Sequence, residues 1–124
     1  MAPQVSRPVV WFEVLGRDGR KLRSFYSQLF GWQATDAPNG ADYGLVEPAP
    51  QGIGGAIGRS EDGGPGHVTF YVEVPDPAAA LEEAERLGGK TILPPTEVPE
   101  AGLTFAYLAD PEGHVVGLTK GTLR

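Results

Sequence analysis

The sequence predicts an α+β domain in which one unit, βαβββ, is written twice in tandem. Three observations carry this. Two β-rich stretches, 9–15 and 67–74, are each followed by an aspartate and then by apolar residues at helical spacing. Both helical patterns run into glycine, at Gly31 and at Gly88-Gly89. After each helix come three short strand-like stretches separated by turn residues.

In chain order, Pro8 opens the first strand, and Val9 to Leu15 carry it with β-branched and aromatic residues. Asp18 is placed to cap a helix in which Leu22, Phe25, Tyr26 and Leu29 recur at i, i+3, i+4 and i+7. Strands are expected at about 32–35, 43–47 and 53–58, with Asn39-Gly40 as a turn signal. Residues 59–66, rich in glycine and acid, form the linker. The second module opens with the strand at 67–74. Asp76 caps its helix, Pro77 takes the first helical position, and Ala80, Leu81, Ala84 and Leu87 carry the helical pattern. Strands follow at about 90–94, ended by Pro94-Pro95, then 103–109 and 114–119. Asp110-Pro111-Glu112-Gly113 suits a type I turn. Module one spans about 8–58 and module two about 67–120, within a single domain 1–124.

The bulk properties agree. At 124 residues the chain is long enough for a core of its own, and 40% apolar content excludes wholesale disorder. The 18 glycines and 12 prolines lie between periodic segments and mark tight turns. A net charge of −6 argues against nucleic acid as a partner. The lack of cysteine excludes disulfides, thiol nucleophiles and thiolate metal sites. No apolar run approaches a membrane span, and the N-terminus lacks the apolar stretch of a signal peptide. The expectation is a soluble cytoplasmic protein that engages neither nucleic acid nor membrane.

Superposing Asp18 on Asp76, an offset of 58, aligns Val10, Phe12 and Val14 with Val68, Phe70 and Val72. These residues are expected to receive the helices. Strand side chains alternate, so the opposite face carries Trp11 and Glu13 in one module and His67, Thr69, Tyr71 and Glu73 in the other. A mixed face behind an apolar one points to a pocket or an interface.

Four stretches together resemble the vicinal oxygen chelate superfamily of glyoxalase I, bleomycin-resistance proteins and extradiol dioxygenases. They are Trp11-Phe12-Glu13-Val14 leading to Asp18, Phe25-Tyr26-Ser27-Gln28-Leu29-Phe30-Gly31-Trp32, His67-Val68-Thr69-Phe70-Tyr71-Val72-Glu73-Val74 leading to the second helix, and Asp110-Pro111-Glu112-Gly113-His114. The resemblance covers about residues 8–120. It implies two βαβββ modules forming a cup-shaped mixed sheet, helices outside, around a ligand cavity, often in a homodimer. Catalytic members hold a divalent ion on the cup face, and it chelates vicinal substrate oxygens. Here the three ligand columns of that family fall on Trp11, Thr69 and Gly117. Trp and Gly offer no side-chain ligand, and His67 alone does not hold a metal. No cofactor is therefore expected, and a standard metal-dependent glyoxalase I is disfavoured. Ligands from Glu13 and His67 of different subunits are the alternative.

The expected ligand-binding residues are Trp11, Glu13, His67, Thr69 and Tyr71, and the catalytic candidates are Glu13, Tyr71 and His67. Each has a plainer role beside this one. Trp11 packs a core or a dimer. Glu13 is a solvated rim of the cup, or, if buried, a base of raised pKa that pairs with Tyr71. His67 is the exposed start of a strand, and His114 an exposed turn residue. Phe25, Tyr26, Leu29 and Trp32 are expected in the helix-to-sheet core. The Glu82–Arg86 run is a solvated helix face, and 96–102 a connecting loop. Gly52–Gly58 lacks the GK[ST] ending of a phosphate loop and is expected to be a strand. Two function classes follow, beside a third in which the module only contributes to an assembly. One is a metal-free protein that binds a small aromatic or amphipathic molecule. The other is an enzyme (lyase, isomerase or dioxygenase) using a divalent metal or an acid–base site.

Overall fold

The structure is a computed structural model and describes residues 5–37 and 41–121. The elements run β1 (Val9–Gly16), α1 (Gly19–Phe30), β2 (Ala34–Asp36), β3 (Tyr43–Val46), β4 (Gly54–Arg59), β5 (His67–Glu73), α2 (Pro77–Arg86), β6 (Lys90–Val98), a 3-10 turn (Pro99–Ala101), β7 (Leu103–Ala109) and β8 (Val115–Gly121). The duplicated βαβββ order is thus present. Asn39-Gly40 lies outside the described residues. The chain forms two compact units, Trp11–Thr69 and, with the N-terminal residues up to Val10, Phe70 onward.

In the first unit the strand order is β2-β3-β4-β1, with β1 parallel to β4 and the other pairs antiparallel. Asp18 caps α1 by accepting a hydrogen bond from Lys21 N at 3.0 Å. Gly31 ends the helix at φ 74°, the left-handed conformation that favours glycine. The core is Val14, Val46 and Ile57, and α1 and its exit supply Leu22, Tyr26 and Trp32. Phe12 joins it, with its ring centroid 5.0 Å from that of Trp32. Arg23 reaches from α1 to Asp36 on β2 at 2.8 Å, and this ion pair holds the Asp36 carboxyl below its ordinary pKa.

The second unit has the order β5-β8-β7-β6. Asp76 caps α2 by accepting from Ala79 N at 3.2 Å, with Pro77 at the helix start. The core is Leu81, Ala106 and Leu118, flanked by Val72, Val74, Ala80 and Leu108.

Four expectations are corrected. First, Pro94-Pro95 does not end β6, which runs to Val98 through much of the segment expected as a loop. β6 is at the end of the order, and its register slips between Leu93 and Thr96, where the prolines are. Two residues without N–H are tolerated at such an edge bulge. Second, β2 begins at Ala34 rather than residue 32, since Trp32 turns into the core. Third, Phe25 and Leu29 are 56% and 58% exposed, because the first core draws on Leu22 and Tyr26 instead. Fourth, Val68 and Phe70 are 75% and 43% exposed. The α2 core takes Val72 of β5 and Val74 just after it, and Phe70 is not among its residues.

Candidate functional site

On β1 side chains alternate, so Phe12 and Val14 enter the core and Trp11 and Glu13 face the other way. The register sets their neighbours: Trp11 lies beside Gly54, Glu13 beside Ala56, and Tyr43 of β3 beside Gly58. The Gly54, Ala56 and Gly58 column leaves room for large side chains. A β-carbon built on Gly58 would stand 2.8 Å from the Tyr43 ring, and one on Gly54 would stand 3.3 Å from the Trp11 indole. Tyr43 therefore packs over Gly58 and reaches Glu13. Its hydroxyl donates to Glu13 Oε2 at 2.6 Å, and His67 Nε2 meets Oε1 at 2.8 Å. Glu13 is 2% exposed. A carboxyl group at that depth requires partners on its oxygens, and both oxygens have one. The His67 side chain is 20% exposed, so it forms the outer end of the network.

The second unit carries a tyrosine pair. Tyr71 and Tyr107 flank Gly117 of β8 in register, and their hydroxyls meet at 2.6 Å. A β-carbon on Gly117 would stand 2.6 Å from the Tyr71 ring, so glycine is the residue that admits the pair. Tyr71 is 4% exposed. Thr119, two residues on and fully buried, has no partner for its hydroxyl oxygen among the described residues.

The expected site residues thus fall into two groups. Trp11, Glu13, His67 and Thr69 belong to the first unit and Tyr71 to the second. Glu13 is not a solvated rim residue, and Thr69 is 7% exposed. His114 is at the exposed β7–β8 turn, where its Nδ1 meets Asp110 at 2.9 Å. Tyr43 and Tyr107 were missing from the expected site. The signal for both is a small residue beside them in register, and sequence alone does not align strands.

The fold family implies a divalent metal. The residues present do not fit one at the ligand columns. Trp11 has no donor for it, and the place of a glutamate is taken by Gly117 under the Tyr71 ring. Glu13 and His67 are hydrogen-bonded to each other within one chain. Among the described residues no group of three or more His, Asp or Glu side chains converges on a common point for an ion.

With this geometry in place, comparison with known proteins assigns the family. The model of the glyoxalase-like domain matches residues 11–119, and the chain belongs to that family, within the vicinal oxygen chelate superfamily. Among curated proteins it is similar to CFP32 of Mycobacterium bovis and of Mycobacterium tuberculosis, named as a glyoxylase, at 27% identity over 114 residues. That match covers 90% of this chain and 43% of the relative, so the chain spans less than half of the relative's length. A glyoxalase/bleomycin resistance protein/dioxygenase superfamily member from Vibrio splendidus shares the fold at a TM-score of 0.61 and 14% identity, with 94% of this chain and 100% of that chain covered. A hypothetical protein from Bacillus halodurans gives 0.64 and 15%, covering 97% and 98%. Among the described residues, no helix is long and apolar enough to cross a membrane.

Proposed function

We propose that the chain binds a small molecule without a divalent ion, against the strand face of Trp11, Glu13, Tyr43 and His67. The observation that carries this is the Tyr43–Glu13–His67 network. It places a buried, fully oriented polar group beside a half-buried indole, the combination by which pockets fix an aromatic or amphipathic ligand. A net charge of −6 favours a cationic one. The cytoplasm is the proposed compartment, to be checked by cell fractionation.

The test is a thermal-shift screen of aromatic and cationic small molecules, since a ligand selective for the native state raises its melting temperature. Hits should be lost in Trp11→Ala, while that variant keeps its own cooperative transition. Elemental analysis of protein purified without chelator should find well under one equivalent of Zn, Ni, Fe or Mn. A stoichiometric, tightly held transition metal would overturn the reading.

One observation favours a second reading. A carboxylate behind an imidazole, as in Glu13 and His67, is the arrangement that orients a general base. The relatives' glyoxylase name points the same way. Under it, a screened ligand is turned over, and His67→Ala stops turnover. A methylglyoxal–glutathione adduct is expected to remain unconverted under either reading, because glyoxalase I chemistry needs the metal whose ligand columns are filled here by Trp11, Thr69 and Gly117.

A further inference from the structure

The outer face of α1 differs in charge from the rest of the molecule. In a chain of net charge −6, Gly19–Phe30 contains Arg20, Lys21 and Arg23 and no acidic residue, and Arg17 precedes it. Asp18 is turned onto the backbone as the cap, Arg23 is engaged by Asp36, and Arg17, Arg20 and Lys21 are exposed. Toward the other end of the helix Phe25, Leu29 and Phe30 are 56%, 58% and 56% exposed. The two rings are held in place. Phe25 meets Tyr26 edge-on with centroids 5.1 Å apart, Phe30 stacks on Tyr26 at 6.2 Å, and Tyr26 packs on the core of the first unit. Exposed rings that are already oriented lose little freedom on binding, which suits them as anchors of an interface. Lys21, Phe25 and Leu29, four residues apart, form a ridge. A shallow groove runs on each side of it, one along Ser24 and Gln28 and one along Arg17, Leu22 and Tyr26. Leu22 and Tyr26 meet the core together with Phe12 and Val14, so this ridge is separate from the strand face of Trp11 and Glu13.

We propose that the outer face of α1 docks an acidic, amphipathic helix of a different protein, its carboxylates over Arg17, Arg20 and Lys21 and its apolar side chains against Phe25, Leu29 and Phe30. Three features choose this occupant. A ridge between two grooves is the relief into which the side-chain rows of another helix pack. The grooves are open, so a small molecule lying in one would stay largely wetted, whereas a ligand pocket buries most of its ligand. The exposed cations are fewer than the roughly four to eight with which basic clusters hold an anionic bilayer, and the acidic remainder of the molecule opposes that contact. Opposite charge then selects the partner helix and steers its approach.

The test uses the full chain and a fluorescein-labelled synthetic helix with glutamates at one end and leucines at i, i+4 and i+7 toward the other, read by fluorescence anisotropy. The wild type should bind it with a Kd below about 100 µM, and more weakly as salt rises. Phe25→Ser with Leu29→Ser should weaken binding at least about tenfold with an unchanged circular dichroism spectrum, since both positions are more than half exposed. Arg17→Glu with Lys21→Glu should weaken it as much, and that variant should instead bind a peptide in which lysines replace the glutamates. A peptide of the same composition in scrambled order should bind the wild type at least about tenfold more weakly than the ordered one. Three results would overturn the proposal: no binding of the ordered peptide at about 100 µM, equal affinity for the scrambled one, or a charge-reversed chain that ignores the lysine peptide. Cosedimentation of the wild type with phosphatidylglycerol vesicles, lost in Phe25→Ser with Leu29→Ser, would overturn it in favour of a membrane. A mass that rises with concentration, and no longer does so in that variant, would overturn it in favour of a second copy of the chain.

Discussion

A carboxylate that is 2% exposed persists only where its oxygens are occupied, and Glu13 meets that condition through Tyr43 and His67. Removing one partner leaves a buried oxygen unsatisfied. Tyr43→Phe, which keeps the ring over Gly58 and deletes the hydroxyl, is expected to cost about 1–3 kcal/mol, the range for a buried polar group left without its partner. Urea unfolding measures it, and a loss under about 0.5 kcal/mol would mean that the bond contributes little net stability. At the same scale, a single missing side chain positions Tyr71. With a built β-carbon only 2.6 Å from the ring, Gly117→Ala must push that ring aside.

At the scale of the element, local chemistry explains where each helix begins and how the last turn closes. Asp18 and Asp76 occupy equivalent places in the repeat, and each accepts the backbone N–H three residues on. Asp18→Ala is expected to cost about 1 kcal/mol, readable as a lower urea midpoint with an unchanged slope. The β7–β8 turn is expected to weaken in acid. Asp110 accepts backbone N–H groups of His114 and Glu112, both at 2.9 Å. These bonds, the one from the His114 backbone first, hold its carboxyl below the ordinary 3.8. A carboxyl depressed in the folded state stabilises it above the unfolded pKa, and that contribution is lost as pH falls through the folded value. Amide exchange at Glu112 and His114 should therefore quicken as pH drops below about 3.8, after correction for intrinsic rates. Turn amides whose protection stays flat across that range would show that the carboxyl does not hold the turn.

At the scale of the whole molecule, each unit carries its own cluster of buried residues under its own helix. Ile57 is fully buried in the first, so Ile57→Ala should cost about 2–5 kcal/mol. Phe70 serves as the contrast. At 43% exposure, Phe70→Ala should cost at most about 2 kcal/mol, well short of the 3–5 kcal/mol or so of a fully buried ring. Denaturant melts of both variants decide this, and a larger loss at Phe70 than at Ile57 would reverse the assignment of the core.

The sequence by itself determined what depends on neighbours along the chain: the tandem βαβββ order, both aspartate caps, Gly31 as the helix end, the Asp110 turn and the family. Capping, helical period and strand alternation act over a few residues, so they are legible without strand pairing. The resemblance also placed Trp11, Thr69 and Gly117 at the ligand columns, and tryptophan and glycine bring no side-chain ligand there. Tertiary structure alone decided which apolar residues are covered. Phe25 and Leu29 satisfy the helical period as well as Leu22 and Tyr26 do, yet the core takes the latter two. It also decided the partners of Glu13. Tyr43 is 30 residues from Glu13, and the registers of β1 and β3 on β4 bring the two together; His67, 54 residues away, meets Glu13 only in the folded chain.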